Sequence, residues 1–257
     1  MIATGVHYAG LSGPLWSPLF FVVGFMGAIL PINLWVKKRL EAVFTAVQQQ
    51  VEGSQAVLRR KAMAMQNKMM SSTKGLQRQL EKQQEESIRE AIASLEAAMP
   101  LNKWNFLVQR QVDTLRAQFY FQIKEFEQAD AHFAKALMFD PVTLAMRLTR
   151  FYKQGQMEQF EKAFAKGIRR FKGEKGTILY ALKSWILVKQ ERYDEAIALL
   201  DKAKTDTESS VLAKNWEHLV NGRNRSFSNA GLGDVWYALY LEEPKPVRVK
   251  QRRGQHF

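Results

Sequence analysis

The chain has 257 residues, 46% hydrophobic and 25% charged, with a formal charge of +13 at pH 7, a composition that fits one or two folded domains. It contains no cysteine, which excludes disulfides, thiolate metal sites and cysteine nucleophiles. The positive charge favours acidic partners such as anionic lipid, nucleic acid or acidic protein, and does not bear on the fold.

Residues 1–14 hold no Lys or Arg and read as a short extracytoplasmic N-terminus. Leu15 to Val36 holds no charged residue at all, and its length suits the roughly 20 residues that cross a hydrocarbon core. Trp16 and Trp35 sit near its two ends, where indoles favour the interface, and Lys37, Lys38 and Arg39 follow at once. A cleavable signal peptide would carry its positive charge first. The positive-inside rule instead predicts a single transmembrane helix over 15–36 with the N-terminus outside and the remaining chain cytoplasmic. A bacterial inner membrane suits that orientation.

Residues 37–99 are poor in proline and glycine and rich in Gln, Glu, Lys, Ala and Met. Phe44, Val47, Val51, Ser54 and Leu58 are spaced by threes and fours. Met65, Met69, Leu76 and Leu80 continue less regularly, and Ile88, Ile92 and Leu95 resume the pattern. The stripe is narrow and broken by Ser54 and Gln83, as in a coiled-coil seam. It predicts a basic helical stalk on the order of 90 Å long that pairs with a second copy into a homo-oligomer. Met63, Met65, Met69 and Met70 form an apolar patch suited to filling such a seam.

From Val112 to Pro141 the sequence places Ala129, Phe133, Ala136 and Pro141 at offsets of four, three and five, with Tyr120 in the preceding segment. Phe151, Phe160, Phe164 and Gly167 repeat the arrangement, and so do Leu187, Ala196, Leu200 and Ala203. Small residues let two antiparallel helices approach, aromatics fill the gap, and the proline ends the second helix. Tyr120, Phe151 and Leu187 lie 31 and 36 residues apart.

This pattern resembles the tetratricopeptide repeat, whose period is about 34 residues, over Asn102 to Asn221. Asp113 and Arg116 stand where the motif is usually apolar, and the second copy lacks the closing proline. The fold expected is therefore all-α: a transmembrane helix, a stalk, then an α-solenoid of hairpins over 100–222, closed by a capping helix from Val211 to Val220. The resemblance implies a concave groove lined by the first helix of each hairpin. Its candidate positions are Gln111, Thr114, Gln118 and Gln122 in the first copy, Thr149, Tyr152 and Lys153 in the second, and Trp185 and Lys189 in the third. Family members that clamp the carboxylate end of chaperone tails use a Lys, Asn and Arg set absent here, which disfavours that ligand. Tyr152 and Trp185 read either as partner anchors or as packing between hairpins.

Residues 223–257 begin as a loop. Asp234 then predicts a cap for a short helix, Val235 to Leu241, bearing Trp236, Tyr237 and Tyr240. These aromatics either dock on the last hairpin or form an epitope. The tail from Glu243 is basic and proline-containing, with an extended, disordered composition.

No catalytic constellation is present in the sequence. His7, His132, His218 and His256 have no metal-site spacing, and neither a phosphate loop nor a nucleophile elbow occurs. The expectation is a non-enzymatic membrane-anchored scaffold, without cofactor, that recruits or assembles protein components. The alternative is a receptor that captures peptide segments in the groove. Nucleic-acid binding through the tail is the weaker reading, because basic tails are common.

Overall fold

The computed structural model describes residues 16–66, 73–105 and 107–244, and among them every regular element is helical. The helices are α1 (Trp16–Gln66), α2 (Thr73–Ser94), a 3-10 segment (Leu95–Lys103), α3 (Leu107–Gln122), α4 (Phe126–Phe133), α5 (Pro141–Lys153), α6 (Met157–Arg170), α7 (Thr177–Lys189), α8 (Tyr193–Thr207), α9 (Ser210–Val220) and α10 (Asp234–Tyr237). They divide into two compact units, residues 1–123 with 134–137 and residues 124–133 with 138–257. The boundary therefore runs inside the first repeat copy.

In the N-terminal unit, the expected stalk is folded back on itself. Gln50 donates to Glu90 at 3.4 Å and Lys61 to Gln83 at 3.3 Å, so α1 and α2 run antiparallel. Val36, Leu40, Val47 and Val51 on α1 pack with Ile88, Ala91 and Leu95, and α3 closes the core with Val108, Val112 and Phe119. The seam spacing predicted pairing between chains, whereas the structure fills the seam within one chain. A partner tethered by a short connection avoids the translational and rotational loss of association. Ser54, which interrupts the stripe, bonds back to the carbonyl of Gln50 at 2.8 Å. Arg116 pairs with Glu96, and buried Asp113 accepts from Gln109 at 3.3 Å. The two polar departures from the repeat pattern thus find polar partners inside this unit.

Helix α1 carries the expected span. Its backbone is helical from Trp16, but most side chains of 16–29 lie outside the described residues, as do Met65, Met69, Met70 and the tail from Lys245. Among the described residues no helix is long and apolar enough to cross a membrane. Val23, Leu30, Leu34 and Trp35 are each more than half exposed.

The C-terminal unit is a stack of hairpins, α5 with α6, then α7 with α8, followed by α9. Its core places Phe160, Phe164, Leu187, Ala196, Leu200 and Ala203 inside, as the small-and-aromatic pattern predicts. Gly167 marks the closest approach: a Cβ built there would lie 2.4 Å from Leu144 Cδ2 and 3.2 Å from Leu179 Cδ1. Any side chain at that position requires Leu144 to move before α6 can settle against α5 and α7.

Pro141 behaves differently from the expectation. α4 already ends at Phe133, and Pro141 opens α5 at its first turn, where its missing N–H costs nothing. Asp140 caps that helix, its carboxylate accepting from the Val142 and Thr143 amides at 2.9 Å each. Asp140→Ala is expected to cost about 1–2 kcal/mol, read as a lower thermal midpoint of the C-terminal unit.

Candidate protein-docking face

The nine candidate groove residues fall into both units. Gln111, Thr114, Gln118 and Gln122 belong to the N-terminal one, and Thr149, Tyr152, Lys153, Trp185 and Lys189 to the C-terminal one. In the first set, Thr114 is buried and acts as a clasp. Its hydroxyl bonds the Arg110 carbonyl at 2.8 Å and accepts from the Leu137 amide at 3.0 Å, fastening the segment 134–137 to α3. Gln111, Gln118 and Gln122 are half-buried.

In the second set, Thr149 is buried and its hydroxyl donates to the Ala145 carbonyl at 2.9 Å, so it offers a partner nothing. Lys153 and Lys189 are exposed. Tyr152 and Trp185 meet edge to face with ring centroids 6.1 Å apart, and the Lys189 ammonium lies 5.3 Å from the Trp185 ring.

Trp185 is buried because the chain's own C-terminal segment lies over it. Trp236, with no exposed surface, meets Trp185 edge to face at 6.1 Å. The indole N–H groups of Trp185 and Trp236 donate to the two carboxylate oxygens of Glu242, each at 2.8 Å. Upstream, the buried Asn229 amide donates to the Ala181 carbonyl of α7 at 2.9 Å and accepts from buried Asn215 of α9 at 2.8 Å. The Asn215 carbonyl in turn accepts from the Ser228 amide at 3.0 Å. Residues 228–242 thus form a strap fixed at both ends to the face of α7 that carries Trp185.

The strap departs from the expected aromatic helix. α10 is a single turn, and Gly233 rather than Asp234 precedes it, with φ of 64° and ψ of −142°. That conformation is open only to glycine and turns the chain back across α7. Trp236 is the ring that docks, while Tyr240 stays 38% exposed beneath the Lys124 ammonium. Of the two readings of these aromatics, docking on the hairpins describes Trp236. Glu242, Asn229 and Asn215 had no motif to announce them, and the signal for Trp236 was only its need for burial.

A second polar anchor ties α7 to α8. The buried Tyr180 hydroxyl donates to Asp206 at 2.6 Å. Burial, then the bond to Asp206 and the carboxylate's charge, push the phenol above the ordinary tyrosine range. The folded state therefore holds this proton to higher pH than the unfolded state. Its stabilisation is full below the unfolded tyrosine pKa of about 10 and is lost as pH rises above it. Tyr180→Phe is expected to lose roughly 0.5–1.5 kcal/mol at neutral pH and to show a flatter decline in stability between pH 9 and 11, measured by urea unfolding.

Stacked helical hairpins with small residues at their contacts and aromatics between them define a helical-repeat interaction protein. A family model for the tetratricopeptide repeat matches residues 114–143 and 178–205, and the chain carries tetratricopeptide-like repeats. The interval between the two matches, about one repeat long, is filled largely by the α5–α6 hairpin. No curated protein matches the chain, and no solved structure does.

Proposed function

We propose that the chain is a membrane-held, non-catalytic scaffold whose repeats recruit protein components to a membrane-associated complex. The repeats support the interaction role, because stacked hairpins present an extended face for protein segments. The observation that carries the membrane role is the sequence of α1. One continuous helix runs from the apolar stretch, through exposed Leu30, Leu34 and Trp35, into Lys37, Lys38 and Arg39. The Arg39 guanidinium lies 5.8 Å from the Trp35 ring, an interfacial pairing of cation and indole. Trp104, exposed, lines the same apolar hollow as Pro31, Ile32 and Trp35. In this reading the N-terminus faces out, the repeats face the cytoplasm, and the membrane is a bacterial inner one.

Fractionation of cells producing the full chain tests this. The expected result is recovery in the membrane fraction after high-salt and alkaline washes, with extraction only by detergent. Recovery in the supernatant would end the membrane half of the reading and leave the interaction half to stand alone.

A second reading, a receptor that captures peptide segments, is favoured by one observation. The face around Trp185 already holds a turn-rich segment of the chain itself through ring contacts and directed hydrogen bonds.

A further inference from the structure

The strap holds the chemistry of a ligand. A ring sits edge-on to Trp185, a carboxylate receives an indole N–H of the receiving surface, and an amide side chain caps the helix-face carbonyl of Ala181. The receiving face is built from α7 and α9; the exposed Lys189 lies over Trp185, and Lys124 lies over Tyr240 at the same end of the strap. Both charges complement an acidic segment.

We infer that the Trp185 face is a peptide-binding site occupied in the resting chain by residues 228–242, and that its partner is an acidic, aromatic peptide segment that displaces them. The inference rests on the interaction reading above and goes beyond it by naming the site, its resident occupant and the chemistry of the partner.

Three features make the strap an exchangeable occupant rather than a layer of the core. It lacks a helix longer than the four residues of α10. It reaches the interior through few side chains, chiefly Asn229, Trp236 and Leu239, while Asp234, Val235, Tyr240 and Glu243 are exposed. Segments with few buried contacts open at lower free energy than the elements they cover. Finally, Glu242 bridges one indole from the strap and one from the receiving face, so a competing carboxylate can take the Trp185 bond without rebuilding the hairpins.

An intramolecular occupant competes with any incoming peptide, and the apparent dissociation constant rises in inverse proportion to the fraction of chains with the site open. Weakening the strap's hold should therefore tighten binding from outside. The probe is a fluorescent synthetic peptide of residues 228–244, titrated by anisotropy against the full chain and its Glu242→Ala variant. That substitution removes the strap's carboxylate and leaves Trp185, Ala181 and Asn215 in place. Binding to Glu242→Ala at least tenfold tighter than to the unsubstituted chain is expected, and a probe with the same substitution should lose that gain. Equal binding, or none to either, would overturn the inference.

Hydrogen exchange on the unsubstituted chain supplies the second reading. Amides of 229–242 should exchange well before those of α7 and α8. Exchange of all three together, or loss of α7–α9 protection in Glu242→Ala, would make the strap permanent core and defeat the proposal. Neither result bears on membrane fractionation, so failure here is separable from failure of the scaffold reading.

Discussion

Gly167→Val is expected to lower the stability of the C-terminal unit by about 3 kcal/mol. The Cβ position at 167 lies 2.4 Å from Leu144 Cδ2 and 3.2 Å from Leu179 Cδ1, and both leucines are buried. An alanine there sets the helix-propensity gain of about 1 kcal/mol against the cost of turning Leu144 into a packed interior. Valine adds two methyls with no room for either, and overpacking of this kind costs about 1–3 kcal/mol before the helix penalty of a β-branched side chain. Gly53 supplies the control. It lies in α1 with nothing within 4 Å of its Cβ position, so Gly53→Ala should stabilise the N-terminal unit by about 0.5–1 kcal/mol. Denaturant unfolding read by far-ultraviolet circular dichroism checks both. An unchanged midpoint for Gly167→Val would mean that the close passage of α6 between α5 and α7 does not hold the stack together.

The contrast between those glycines shows what the sequence could carry. Gly167 follows two phenylalanines at the repeat offsets, so its pattern revealed a close approach, whereas Gly53 interrupts nothing but a helix. The inward positions of α6 and α8 were legible for the same reason: small and aromatic residues three and four apart have one use in a helical hairpin. The spacing of Val47, Val51, Ile88 and Leu95 was equally legible as a seam, but periodicity records that a stripe is buried, not which helix buries it. A hairpin within one chain and a coiled coil between two write the same pattern. The strap was hidden for a different reason. Glu242 and Trp185 are 57 residues apart, and no local periodicity connects a carboxylate in a loop to an indole on a helix. Thr114 and Thr149 fell at groove offsets, yet their hydroxyls serve backbone groups instead: each bonds a carbonyl one turn back in its own helix, the ordinary habit of short polar side chains, and Thr114 also holds the Leu137 amide 23 residues away. Pro141 was read as a stop because proline cannot continue a helix, although the same fixed φ makes it a favourable start.

Ile88→Ala separates the two meanings of that seam. Ile88 is almost wholly buried, in the same core as Val47, Val51, Val108 and Val112. Truncation removes three carbons from a site walled by three helices, which leaves little freedom to collapse, and a loss of about 2–5 kcal/mol follows. In a hairpin closed within the chain, that loss appears as a lower unfolding midpoint of the N-terminal unit, independent of protein concentration. Light scattering behind size exclusion in detergent should then give the same mass for variant and parent. Were the seam shared between two copies, the same substitution would weaken association, the midpoint would fall on dilution, and the variant would elute as the smaller species. The antiparallel register set by Gln50 with Glu90 and Lys61 with Gln83, together with the apolar cover from α3, places the whole cost inside one chain. The stalk is then a folded hairpin carrying its own core.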